Sequence, residues 1–113
     1  MSKRTELGKI QSVSFGLGGY QNAMIGIHFT LGNDGWGVSY TKSGWDATLI
    51  QSDGHTEWTE EDRDKHYAEI MRYVSKLLSE AKVQSVDQLK GVPVEVIFEG
   101  IALSSWRILT EVV

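Results

Sequence analysis

The apolar residues change period twice along the chain, and that change limits what it can fold into. Tyr67, Ile70, Met71, Val74, Leu77, Leu78 and Ala81 recur at intervals of three and four, which is one continuous stripe along a helix. On both sides of this stripe the period is two. Residues 9–15 alternate, with Ile10, Ser12 and Ser14 on one face and Lys9, Gln11, Val13 and Phe15 on the other. Residues 23–31 place Ile25, Ile27, Phe29 and Leu31 on one face, and residues 36–41 read as a third strand. Gly16, Leu17, Gly18 and Gly19 read as a turn or bulge, and Gly32, Asn33, Asp34 and Gly35 as a hairpin turn.

Local signals place the ends of the helix. Thr59 caps it, Asp62 stands at the third helical position, and Glu60 and Glu61 favour the positive end of the helix dipole. Ser85 with Gln88 forms a second capping pattern, a short helical turn that Gly91 ends. Pro93 then opens a strand in which Val94, Val96 and Phe98 alternate with Glu95, Ile97 and Glu99. A turn at Gly100 leads into residues 103–113, with Trp106, Ile108 and Val112 expected on one face. Strands, one long helix and more strands predict an α+β fold: a small antiparallel β-sheet with the amphipathic helix packed on one face.

The chain has 113 residues, one domain by length, spanning 1–113. A chain of this size buries roughly two-thirds of its unfolded surface, so a neighbouring subunit is expected to complete any sizeable pocket. There are no cysteines, which excludes disulfides, a thiol nucleophile and thiolate metal sites. Eleven Lys and Arg against fifteen Asp and Glu leave a net charge of −4, a poor footprint for a nucleic acid polymer. No apolar run is long enough for a membrane span and residues 1–8 lack the apolar stretch of a signal peptide, so a cytoplasmic location is expected.

His28, His55 and His66 show no metal-ligand spacing. His28, inside an apolar strand, reads as a hydrogen-bonded core or interface residue, and His55 and His66 as structural or solvated. No motif assembles a nucleophile, base and acid, so no catalytic residue, metal or cofactor is expected. The glycine-rich run lacks the spacing and trailing lysine of a phosphate loop, and reads as a tight turn that admits a ligand or neighbouring backbone. Eight of the twelve glycines lie between Gly16 and Gly44, with Trp36 among them and Trp45 just after. Trp58 precedes the helix, and Trp106 adjoins Arg107. Aromatic faces and a guanidinium plane are suited to stacking a nucleobase and pairing with phosphate, although Trp106 serves equally to fill a core. Strand alternation places Trp106 and Arg107 on opposite faces, so two protomers would be needed to aim both at one ligand.

Three stretches together resemble a known family. They are Phe15-Gly16-Leu17-Gly18-Gly19-Tyr20-Gln21-Asn22-Ala23, Gly35-Trp36-Gly37-Val38, and Pro93 to Gly100 continuing through Ser105-Trp106-Arg107-Ile108-Leu109-Thr110-Glu111. The family is that of the phage Thoeris anti-defence sponges, and the resemblance runs from about Lys9 to Val113, most specifically in the final block. It implies a protein that binds cyclic ADP-ribose isomers made by bacterial TIR-domain defence enzymes, as some members bind cyclic oligonucleotides, without cleaving them. It also implies a homo-oligomer, dimer or larger, with pockets between protomers, working in the host cytoplasm if phage-encoded. Ile101 stands where the pattern has a polar residue and Ser104 where it has Lys, each removing a polar or positive contact.

The expected ligand-binding residues are Phe15, Gly18, Gly19, Tyr20, Trp36, Trp106 and Arg107. The aromatics would stack the base, the glycines admit ribose or phosphate, and Arg107 pair with phosphate. The alternative is a homo-oligomeric protein-interaction module with no nucleotide ligand, since Trp and Arg also anchor protein interfaces. A third reading is an enzyme that degrades the signal, with Asp46 or Glu57 as base near His55.

Overall fold

A computed structural model describes residues 3–18, 24–45 and 60–113. The elements run β1 (Lys3–Gly18), β2 (Met24–Asn33), β3 (Trp36–Trp45), α1 (Glu60–Ala81), β4 (Pro93–Glu99) and β5 (Ala102–Ile108). Short 3-10 turns cover Val86–Leu89 and Thr110–Val112. The five strands form one antiparallel sheet in the order β3-β2-β1-β4-β5, with α1 packed on one side, the α+β architecture expected.

The sixteen-residue β1 organises the sheet. Its first part pairs with β4, from Lys3 opposite Glu99 to Lys9 opposite Pro93. Its second part pairs with β2, from Lys9 opposite Gly32 to Gly18 opposite Met24. Two hairpins therefore hang from opposite edges of one strand, offset along its length. The sheet curls between them, and residues of its outermost strands meet. Trp106 on β5 packs edge-on against Tyr40 on β3, with ring centroids 5.8 Å apart, and against Phe29 on β2 at 5.2 Å. Trp36 on β3 meets Phe98 on β4 at 5.4 Å.

The core lies inside this curl. Ile10, Ile27, Leu31, Val94 and Val96 are fully buried, joined by Phe29, Phe98 and Ile108 and by Ile70, Val74, Leu77 and Ala81 of α1. Each buried Val, Leu, Ile or Phe among them contributes about 1.5–3 kcal/mol by leaving water. The helix stripe thus faces the sheet as its period requires, except that Met71, at its margin, is exposed. Tyr73 stacks near Tyr40, and burial, then the neighbouring Tyr40, holds its phenol protonated well above the usual range.

Three expectations about the strands are corrected. Gly16, Leu17 and Gly18 continue β1 rather than turning, while Gly19 lies outside the described residues. The irregularity sits earlier, between Ile10 and Ser12, where the register against β2 shifts. This bulge inserts one residue and reverses the alternation. Ile10 opposite Leu31, Val13 opposite Phe29 and Phe15 opposite Ile27 consequently share the inner face, and Ser12 and Ser14 face outward. The final strand stops at Ile108, leaving Val112 in a 3-10 turn and exposed instead of sharing a face with Trp106. The turn at Gly100 forms as expected, with φ +66°. Gln88 Oε1 accepts from the Ser85 amide at 3.2 Å, as the capping pattern anticipates, while Ser85 Oγ donates to Asp87. Thr59 lies outside the described residues.

Candidate functional site

The outer face of β1, β2 and β3 carries polar side chains in register. Ser12, Thr30 and Ser39 stand side by side across the three strands, and Ser14, His28 and Thr41 form the next row. They line an open groove of ≈360 Å³ together with Leu17, Gly18 and Phe29. Five hydroxyls and an imidazole surround it, and no charged side chain lines it among the described residues.

His28 is the centre of this groove. Its Nε2 lies 3.1 Å from the Gly16 carbonyl oxygen and its Nδ1 lies 3.2 Å from Thr41 Oγ1. A carbonyl can only accept, so Nε2 carries the hydrogen, and in the neutral ring Nδ1 accepts from the Thr41 hydroxyl. His28 is hydrogen-bonded as expected, but on the sheet's outer face, since the buried core of described residues contains no polar side chain. Gly18 lies directly against it. A methyl group at position 18 would come within 2.9 Å of His28 Cε1 and Nε2, so glycine there allows the imidazole its position. With both ring nitrogens engaged and no carboxylate among the described lining residues, His28 is a fixed wall of the groove rather than a proton-transfer group, and the serine and threonine hydroxyls are what the groove offers to hydroxyl and phosphate oxygens.

The described residues expected to meet at one site lie in four places. Gly18 lines the outer groove. Phe15 is on the inner side, in an apolar groove of ≈350 Å³ with Ile25, Gly26, Tyr67, Ile70 and Met71. Trp36 and Trp106 are half-buried and pack against the core, Trp36 on Phe98 and Trp106 on Phe29 and Tyr40. The Trp36 Nε1 hydrogen is buried and meets no acceptor among the described residues. Gly19 and Tyr20 lie outside the described residues, as do His55, Asp46 and Glu57.

Arg107 differs most from expectation. It faces outward on β5, opposite to Trp106 as alternation requires, and pairs across the ladder with Glu95. Its Nε donates to Glu95 Oε1 at 3.1 Å, and Nη1 and Nη2 donate to Glu111 Oε1 and Oε2 at 3.0 and 2.9 Å. Two carboxylates occupy the fork that a phosphate would need. Arg107 is not among the residues that line the His28 groove. Hydrogen bonds to these two carboxylates push the guanidinium pKa up, and the same contact holds the Glu111 carboxyl down at about 2.

The groove residues were written in the sequence as polar pairs two apart, Ser12/Ser14, His28/Thr30 and Ser39/Thr41, on three successive strands. The bulge before Ser12 obscured that all three pairs face one way. Among the described residues no group of three or more His, Asp or Glu is placed to hold a metal ion. Nor is any described helix long and apolar enough to cross a membrane. Comparison of the chain with protein families, curated protein sequences and solved structures finds no match.

Proposed function

We propose that this protein binds and sequesters a cyclic nucleotide signal of the cyclic ADP-ribose type, without cleaving it, in the outer groove centred on His28. The observation that carries this reading is the close approach of Gly18 to His28 inside a hydroxyl-lined groove with no carboxylate among its described lining residues. A volume of ≈360 Å³ falls within the roughly 300–1,000 Å³ usual for small-molecule sites. Serine and threonine hydroxyls match ribose hydroxyls and phosphate oxygens, and a lining without charged side chains among the described residues adds no local repulsion for a dianion. The groove is open, so a bound ligand would need a cover, and a homo-oligomer supplies one. Immune evasion by sequestration in the host cytoplasm is the role that the family resemblance lends to such binding.

A second reading, a homo-oligomeric interaction module without a nucleotide, is favoured by Phe15 and Met71, large apolar side chains 48% and 61% exposed that line one apolar groove. One experiment separates the readings. The protein is incubated with cyclic ADP-ribose, washed and heat-denatured, and the supernatant analysed by mass spectrometry. Intact ligand is the result expected, altered ligand points to an enzyme, and no retained ligand favours the interaction module.

A further inference from the structure

We infer that Gln11 and Asn33 form a clasp that holds β1 in its bulged register, which makes them positioning residues for the His28 groove. The consequence for a ligand rests on that groove being the binding site, as proposed above, whereas the clasp itself is a property of the fold.

The groove exists in one register only. Ile10 stands opposite Leu31, Gln11 has no partner on β2, and Ser12 stands opposite Thr30. Without the bulge the ladder would run on with Gln11 opposite Thr30, Ser12 opposite Phe29 and Val13 opposite His28. A shift of one residue exchanges the two faces of a strand, so Ser12 and Ser14 would turn inward and Val13 and Phe15 outward. Up to Ile10 the register is secure, because Ile10 is fully buried, donates to the Val92 carbonyl and accepts from the Gly91 amide. Past that point apolar burial discriminates less. Among the described residues of β1 none after Ile10 is buried, and Phe15 and Leu17 keep about half of their surface exposed. A strand with so little buried on either face specifies its register weakly.

The β2–β3 turn supplies what burial does not. Asn33 is fixed from two sides: its Oδ1 accepts from the Gly35 amide at 2.8 Å, and its Nδ2 donates to the Leu7 carbonyl at 3.1 Å. The Asn33 carbonyl then accepts from Gln11 Nε2 at 3.1 Å. The one residue of β1 that β2 leaves unpaired is thus tied by its side chain to the turn. Glycine at position 32 leaves the space for this side chain, since a methyl group there would come within 3.1 Å of Gln11 Oε1. A methyl group on Gly8 would come 2.7 Å from the Gly32 carbonyl oxygen, so β1 and the end of the hairpin are held close where the clasp forms. Straightening the bulge draws Gln11 into line opposite Thr30, away from the turn, and parts it from Asn33.

NMR on the full chain reads the register directly, from the cross-strand contact that Ser14 makes with His28 and that Val13 would make in the straight ladder. Gln11→Met keeps the length of the side chain and removes the donor. It should show Val13–His28 contacts that the wild type lacks, and bind cyclic ADP-ribose at least about threefold more weakly. Deleting Gln11 outright should do the opposite. Ile10 and Ser12 become neighbours, an unbulged ladder then sets Ser12 opposite Thr30 by itself, and the Ser14–His28 contact and the affinity should match the wild type. A residue that merely adds stability would make deletion at least as harmful as substitution. Wild-type contacts in Gln11→Met, or loss of the Ser14–His28 contact on deletion, would overturn the clasp. Contacts that shift as expected while cyclic ADP-ribose binding is unchanged, or absent throughout, would remove the ligand from the groove and leave the clasp standing.

Discussion

Arg107 grips Glu111 with both terminal nitrogens, at 3.0 and 2.9 Å, and so fastens the last residues of the chain to β5. The contact holds the Glu111 carboxyl at about 2, below its ordinary 4.5. A depressed folded-state pKa means that the ionised carboxylate favours the folded chain end. That contribution is complete above pH 4.5 and is lost as pH falls through about 2. Following the side-chain carbon by NMR should give a Glu111 midpoint near 2, and Arg107→Ala should return it toward 4.5. A midpoint unmoved by that substitution would sink the ion-pair account.

The same fork makes a prediction about ligand binding. Arg107→Ala is expected to leave nucleotide retention unchanged, because the guanidinium already serves Glu95 and Glu111 and does not line the His28 groove. A large loss of affinity would return Arg107 to the site.

Gly18→Ala should act on the groove instead. Its methyl group arrives 2.9 Å from His28 and must displace the ring from the Gly16 carbonyl. Calorimetric titration with the cyclic nucleotide is expected to show at least a tenfold loss, about 1.4 kcal/mol. Thr41→Val removes the other partner of His28, an exposed contact, and should cost about 0.5 kcal/mol in stability. Wild-type affinity in Gly18→Ala would move the ligand elsewhere.

Two isoleucines calibrate the core. Ile27 is fully buried and Ile101 is 98% exposed. Ile27→Ala should lower unfolding free energy by about 2–5 kcal/mol in urea titration, whereas Ile101→Ala should stay within about 0.5 kcal/mol of wild type. Similar costs at both positions would contradict the packing described.

Trp106 distinguishes a packing role from a binding one. Its edge-on contacts with Phe29 and Tyr40 join β5 to β2 and β3. Trp106→Ala is expected to cost about 3–5 kcal/mol, seen as a large fall in thermal midpoint. A variant with unchanged midpoint but lost ligand would make Trp106 a stacking residue.

Periodicity alone carried much of this fold. The stripe from Tyr67 to Ala81 is helical and faces the sheet, the 24–33 and 36–45 strands flank Asp34 and Gly35, and Trp106 and Arg107 lie on opposite faces. Each of these depends on how neighbouring residues along one element point, which is a local property. The candidate site was less legible. Phe15, Gly18, Trp36, Trp106 and Arg107 were grouped by chemical type, and tertiary structure distributed them among an inner groove, an outer groove, the core and an ion-paired chain end.

What the residues determined by themselves was the kind of each element and which side chains within it share a face. What only the tertiary structure decided was the bulge after Ile10, the division of β1 between two hairpins, and the curl that brings Tyr40 to Trp106. Side-chain period is set by backbone geometry over a few residues, whereas bulge, register and curl arise from how distant segments compete to bury apolar surface against one another. One inserted residue turned Ser12 and Ser14 outward beside His28, and a polar groove appeared where the strand pattern had shown only alternation.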